Sequence, residues 1–134
     1  MLRRPTDETD PKDWFLFASD RLQGADRLWA ADGLTMAGIE LLQEAAERYL
    51  KGYLIAKGWR LERTHDLKKL MDEAARFELQ FKRFDRFAVE LAADFFAQHY
   101  PGGDLTDVGR NYEGLRQQAG EMVALIRQGL PAYF

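Results

Sequence analysis

The sequence predicts an all-α protein: an antiparallel up-and-down bundle of four main helices, the third open to division into two. Three observations carry that prediction. Apolar residues recur three and four positions apart through four long segments, the period of a helix with one buried face. Breakers stand between those segments, at Gly33, Gly58 and Pro101-Gly102-Gly103. Nowhere do apolar and polar residues alternate for long enough to make a strand. The chain has 134 residues, 46% of them hydrophobic, which fits one domain with one core.

Residues 1–9 are polar and are expected to be frayed or disordered, leaving a single helical domain over 10–134. Asp10-Pro11 reads as an N-cap followed by proline at the first helical position, with Asp13 in the first turn. Phe15, Ala18, Leu22, Ala25 and Trp29 form the stripe of helix one, widened by Trp14, Phe17 and Leu28, and Gly33 ends it. Helix two spans about Thr35 to Lys57, with Ile39, Leu42, Ala46, Tyr49 or Leu50, Tyr53 and Leu54 inward. Gly58 stops it, and Lys57 suits the negative end of the helix dipole. Residues 59–63 connect to helix three, capped by Thr64 or its neighbour, with Asp66 in the first turn and Leu67, Leu70, Met71 and Ala74 inward. The stripe continues through Phe81, Phe84, Ala88, Leu91 and Phe95, with a kink expected near Arg76–Gln80. Tyr100-Pro101-Gly102-Gly103 ends it. Helix four spans about Asn111 to Gln128, with Tyr112, Leu115, Ala119, Met122 and Ile126 inward.

Composition excludes several functions. The chain has no cysteine, so disulfides, thiolate catalysis and cysteine metal sites are out, and a cytoplasmic location is expected. No apolar run is long enough to span a membrane, and M-L-R-R-P-T-D-E-T-D lacks the apolar core of a signal peptide. Neither Gly-rich phosphate-loop pattern occurs. Ser19, the one serine, lies on a helix with no histidine near it in sequence. Glu62-Arg63-Thr64-His65 is a single E-x-x-H across a loop–helix junction. Di-metal bundles need two such motifs facing inward, so neither a metal nor any other cofactor is expected.

Charge is more informative. From Arg48 to Lys69 seven basic residues face two acidic ones, +5 in a chain whose net charge is −3. That asymmetry fits a localised anion-binding surface, and equally a solvated basic face. Within the run stands Arg60-x4-His65, in R-L-E-R-T-H-D-L-K-K-L. Histidine exchanges protons near neutrality, and arginine presents a fixed fork of donors to phosphate. Such a pair can cleave RNA without a metal, which makes Arg60 and His65 the candidate catalytic residues. The plainer reading is a helix start, with His65 packed beside a carbonyl.

Several stretches, taken in order, resemble the HEPN domains, the small helical "higher eukaryotes and prokaryotes nucleotide-binding" family. They are the Trp14 helix with A-S-D-R-L, L-L-Q-E-A-A-E-R-Y-L-K-G-Y-L (41–54), G-W-R-L-E-R-T-H-D-L-K-K-L (58–70) and A-Q-H-Y-P-G (97–102). The resemblance covers roughly residues 12 to 130. It implies an antiparallel helical bundle that homodimerises and associates with nucleotide or RNA. It also implies a possible partner, a small nucleotidyltransferase, in a toxin–antitoxin pair. The family's ribonuclease branch carries Arg-x4–6-His near the start of the last helix. In this chain the pattern falls between helices two and three, residue 67 is leucine where some members have tyrosine, and no histidine follows Arg110.

Three readings stand together. One is a nucleotide- or RNA-binding module contacting phosphate through Lys57, Arg60, Arg63, His65 and Lys68. The second is a metal-independent ribonuclease toxin using an Arg/His pair. The third is a non-catalytic interaction module. The phenylalanines between Phe77 and Phe96 either fill the core or mark a contact surface on helix three.

Overall fold

In a computed structural model that describes all residues 1–134, the chain is all-helical, with five α-helices and no strand. They are α1 (Pro11–Asp32), α2 (Met36–Ala56), α3 (Leu67–Phe77), α4 (Asp85–Ala97) and α5 (Tyr112–Gly129), with short 3₁₀ turns at Leu79–Phe84 and Pro131–Tyr133.

The caps set the starts of the first three. The Asp10 side chain accepts from the Lys12 N–H, and Thr35 Oγ1 accepts from the Gly38 N–H at 2.9 Å. The cap of α3 is Asp66, whose carboxylate accepts from the Lys69 N–H at 3.1 Å. Thr64, expected with its neighbour as the alternatives for that role, accepts instead from the Asp66 N–H. A carboxylate placed one position before the first helical residue reaches the orphan N–H groups, so Asp66 displaces the hydroxyl. His65 therefore lies outside the helix.

Helix α2 is central, with Ile39, Leu42, Ala46, Leu50, Tyr53 and Leu54 all within the core. It lies against α1 in antiparallel fashion. Gly24 approaches Leu41 near one end, and Gly52 approaches Phe15 near the other. A Cβ on Gly52 would stand 2.6 Å from the Phe15 ring, so only glycine permits this closeness. At the opposite end Trp29 stacks on Tyr112 with ring centroids 5.0 Å apart, which fixes the start of α5 beside the end of α1. All five inward positions expected on the last helix are buried. The tail packs back, with the Phe134 ring 4.8 Å from Phe15.

The third expected helix is broken in two. Glu78 adopts an extended conformation and the 3₁₀ turn follows, before α4 begins. In a 3₁₀ turn residues three apart eclipse one another, which puts Phe81 and Phe84 on one face. Both are fully buried, and Phe81 lies 4.8 Å from the Tyr53 ring. Phe87 is buried too, whereas Phe77 and Phe96 are exposed, so the phenylalanine cluster is divided between core and surface.

The segment between α2 and α3 positions the site. Gly58 takes φ 91°, the left-handed region, and turns the chain back along α2. His65 thereby arrives beside Glu47, two and a half turns before α2 ends. Residues 1–9 are exposed, but side chains from α1 and from residues 57–66 hold them at several points.

Candidate functional site

Two buried charges sit on the face of α2 that the returning chain meets. Glu47 and Lys51 are one turn apart, 4% and 5% exposed, with Lys51 Nζ 3.6 Å from Glu47 Oε2. Burial pushes the Lys51 ammonium below its ordinary value, and the neighbouring Glu47 carboxylate works against that shift. The Trp14 ring of α1 lies 5.7 Å from the same Nζ, a cation–π contact that shields it further from water. His65 closes the group from the other side. Its Nδ1 is 3.1 Å and 3.2 Å from the two Glu47 oxygens. A carboxylate only accepts, so Nδ1 is the protonated nitrogen, and Nε2 has no partner within the chain.

These side chains, with Arg48, Leu61 and Arg63, line a groove of about 270 Å³. A second groove of about 470 Å³ adjoins it, walled by Trp59, Arg60 and Gly58, and the two share Leu61 and Arg63. The result is a continuous basic strip with a tryptophan on each part. The pairing of its cations differs. Arg63 reaches Glu8 at 2.8 Å, while Arg48 and Arg60 have no carboxylate within 4 Å.

The candidate residues from the sequence are thus dispersed. Arg63 and His65 share the first groove, and Arg60 lies in the second. Nothing hydrogen-bonds Arg60 to His65, and the histidine's carboxylate partner is Glu47. Lys57 stands over the Tyr53 ring beside Phe77 and Glu78, in a different depression. Lys68 is committed to Asp72 and to Asp85 at 3.4 Å, and Lys69 to Glu62 at 2.7 Å. His99 lies at the exposed end of α4 among Phe95, Phe96 and Tyr100. No group of three or more potential metal ligands occurs.

Sequence reasoning did not single out Glu47, Lys51 or Trp14 as site residues. The available signal was an acid and a base four apart within the apolar run A-A-E-R-Y-L-K-G-Y-L, a spacing that places both on one helix face.

No helix is long and apolar enough to cross a membrane. Comparison with curated proteins and with solved structures finds no match. A family model for the HEPN domain matches residues 11–128, and the chain belongs to the HEPN domain family.

Proposed function

We propose that this chain is a nucleotide- or RNA-associated HEPN module, the HEPN component of a toxin–antitoxin type pair with a nucleotidyltransferase, acting in the cytoplasm. The observation that carries the reading is the pair of grooves joined at Arg63, each walled by one tryptophan. Single-stranded nucleic acid is bound by cations that follow the backbone and aromatic rings on which bases stack. Arg60, Arg63 and His65 supply phosphate contacts, and Trp14 and Trp59 the platforms. Lys57 and Lys68 lie outside the strip and act only on a longer ligand.

Binding of a short fluorescent single-stranded RNA, measured by anisotropy at rising salt, tests this. Affinity is expected to fall steeply with salt and to weaken in Arg60→Ala and Arg63→Ala. No binding at low salt, or binding indifferent to both substitutions, would overturn it.

The Glu47–His65 contact favours a second reading, the ribonuclease. The carboxylate orients the ring, and Nε2 would take the proton of a 2′-hydroxyl. The O2′–P bond would form, the P–O5′ bond would break, and the leaving oxygen would take a proton from water. Cleavage in EDTA to 2′,3′-cyclic phosphate ends, lost in His65→Ala, is the expected sign. Intact RNA after incubation with folded protein removes this reading.

A homodimer belongs to the same proposal. Leu34, Met36, Phe96 and Tyr100 are exposed, and Gln98 Nε2 donates to the Met36 carbonyl at 2.7 Å, which joins the end of α4 to the start of α2. Apolar side chains gathered at one end suit contact with a second copy or with the nucleotidyltransferase. An up-and-down bundle, with α3 and α4 together as its third member, completes the reading, supported by the antiparallel α1–α2 pair.

A further inference from the structure

We infer that the N-terminal segment is a displaceable cover over the basic strip, in which the Glu8 carboxylate holds the place on Arg63 that a ligand phosphate takes. The inference rests on the phosphate-binding reading above and adds a regulatory contact to it.

Glu8 engages two components of the strip at once. Its carboxylate accepts from Arg63 Nη2 at 2.8 Å, and its backbone carbonyl accepts from Trp14 Nε1 at 2.8 Å. Both the shared cation and the indole edge of one tryptophan are therefore engaged by a single acidic residue. The segment is anchored behind that point. The Arg4 guanidinium grips both oxygens of Asp13, and the Asp7 N–H donates to Asp13 Oδ2 at 2.9 Å. The Asp7 carboxylate accepts from the Thr9 N–H and hydroxyl, a local turn that carries Glu8 toward Trp14.

The anchors and the cover differ in exposure. In the anchor pair Asp13 is 5% and Arg4 48% exposed, whereas Arg63 and Glu8 are both largely solvated, at 79% and 54%. A solvated pair of that kind is weak and exchanges readily. Glu8 meets Arg63 through a single nitrogen–oxygen contact, whereas an RNA phosphodiester, with the same single charge, can take the guanidinium fork with two oxygens while its neighbours engage the other cations of the strip. Asp7, Glu8 and Asp10 also repel a polyanion lying along the strip, so the seated segment and bound RNA exclude each other.

The test uses the full chain and a fluorescent single-stranded RNA of about ten nucleotides, a length within the range such grooves hold. Wild type is compared with Glu8→Gln, with Glu8→Gln/Arg63→Gln, and with Glu113→Gln, an exposed carboxylate of α5 outside the strip. Glu8→Gln is expected to tighten binding about two- to five-fold, the range for losing one exposed ion-pair competitor. The double variant loses that gain, and Glu113→Gln does not reproduce it. Wild type binding as tightly as Glu8→Gln, or Glu113→Gln matching it, overturns the cover while leaving the strip as the binding surface. No binding by wild type and Glu8→Gln alike overturns both.

Discussion

His65 and Glu47 are eighteen residues apart in sequence, yet Nδ1 of the exposed imidazole lies 3.1 Å from a carboxylate that is almost wholly buried. The contact has two unequal ends. Glu47 is held from beneath by Lys51 and from outside by His65, while His65 touches little else. Removing each partner therefore has a different effect. Glu47→Ala strands the Lys51 ammonium in a poorly hydrated place and is expected to cost about 3 kcal/mol. His65→Ala takes away only an exposed ring and is expected to change stability by less than about 0.5 kcal/mol. Urea unfolding of the two variants checks this. Equal losses would mean that His65 supports the fold and is no site residue.

Lys51 makes the chain's stability depend on alkaline pH. Burial lowers its pKa in the folded state, so between that lowered value and about 10.4 the unfolded chain binds more protons than the folded one. Stability from this group therefore rises with pH across that window, and the deficit is fully present below it. Glu47→Gln/Lys51→Met keeps the side-chain volumes and lacks the effect. The stability of wild type relative to this variant is expected to grow between pH 8 and pH 10. The buried tyrosines Tyr49, Tyr53 and Tyr112 ionise late for the same reason of burial, and their contribution cancels because both proteins carry them. A constant difference across that range would place Lys51 in ordinary contact with water.

Gly52 governs how closely α1 lies on α2. A methyl group there would press on the Phe15 ring at 2.6 Å and 2.9 Å and on Trp14 Cβ at 3.0 Å. Phe15 is pinned in turn by Tyr49 and Phe134, so it has little room to yield. Gly52→Ala is expected to destabilise by about 1–3 kcal/mol, although alanine is the better helix former by about 1 kcal/mol. A thermal melt shifted upward would show that the two helices separate without penalty.

Sequence pattern and physical cause coincide unevenly along the chain. Helices α1 and α2 were legible because their ends carry local signals, such as Asp10-Pro11 and Gly58, and α5 was legible from its apolar stripe alone, since Asn111 makes no side-chain cap. The division of the third helix was legible as well, near Arg76–Gln80 where Glu78 stands, but the 3₁₀ form of the turn that follows was not. The stripe from Phe81 to Phe95 keeps a helical period through it, and the 3₁₀ turn is set by the packing of Phe81 against Tyr53. In the site, Arg63 and His65 were legible as members of a basic run. Glu47 was hidden because its partner arrives from a segment whose path depends on the turn at Gly58. Trp14 read as an apolar stripe residue, which says nothing of the lysine beneath its ring.

Gln43 stands one turn before Glu47 on α2, is 2% exposed, and neither its amide nitrogen nor its amide oxygen has a hydrogen-bond partner. A buried amide without partners costs about 1–3 kcal/mol of desolvation, and replacing it by an apolar group of similar shape removes that cost. Gln43→Met matches its length and flexibility and is expected to stabilise the chain by about 1 kcal/mol, a rise of several degrees in Tm for a domain of this size. The same substitution leaves RNA binding unchanged if the strip over Glu47 and Lys51 is the whole of the site. Calorimetry and RNA anisotropy on one preparation read both effects. A lowered Tm would mean that the Gln43 amide is hydrogen-bonded in the folded protein to ordered water, and lost binding would extend the site one turn further along α2.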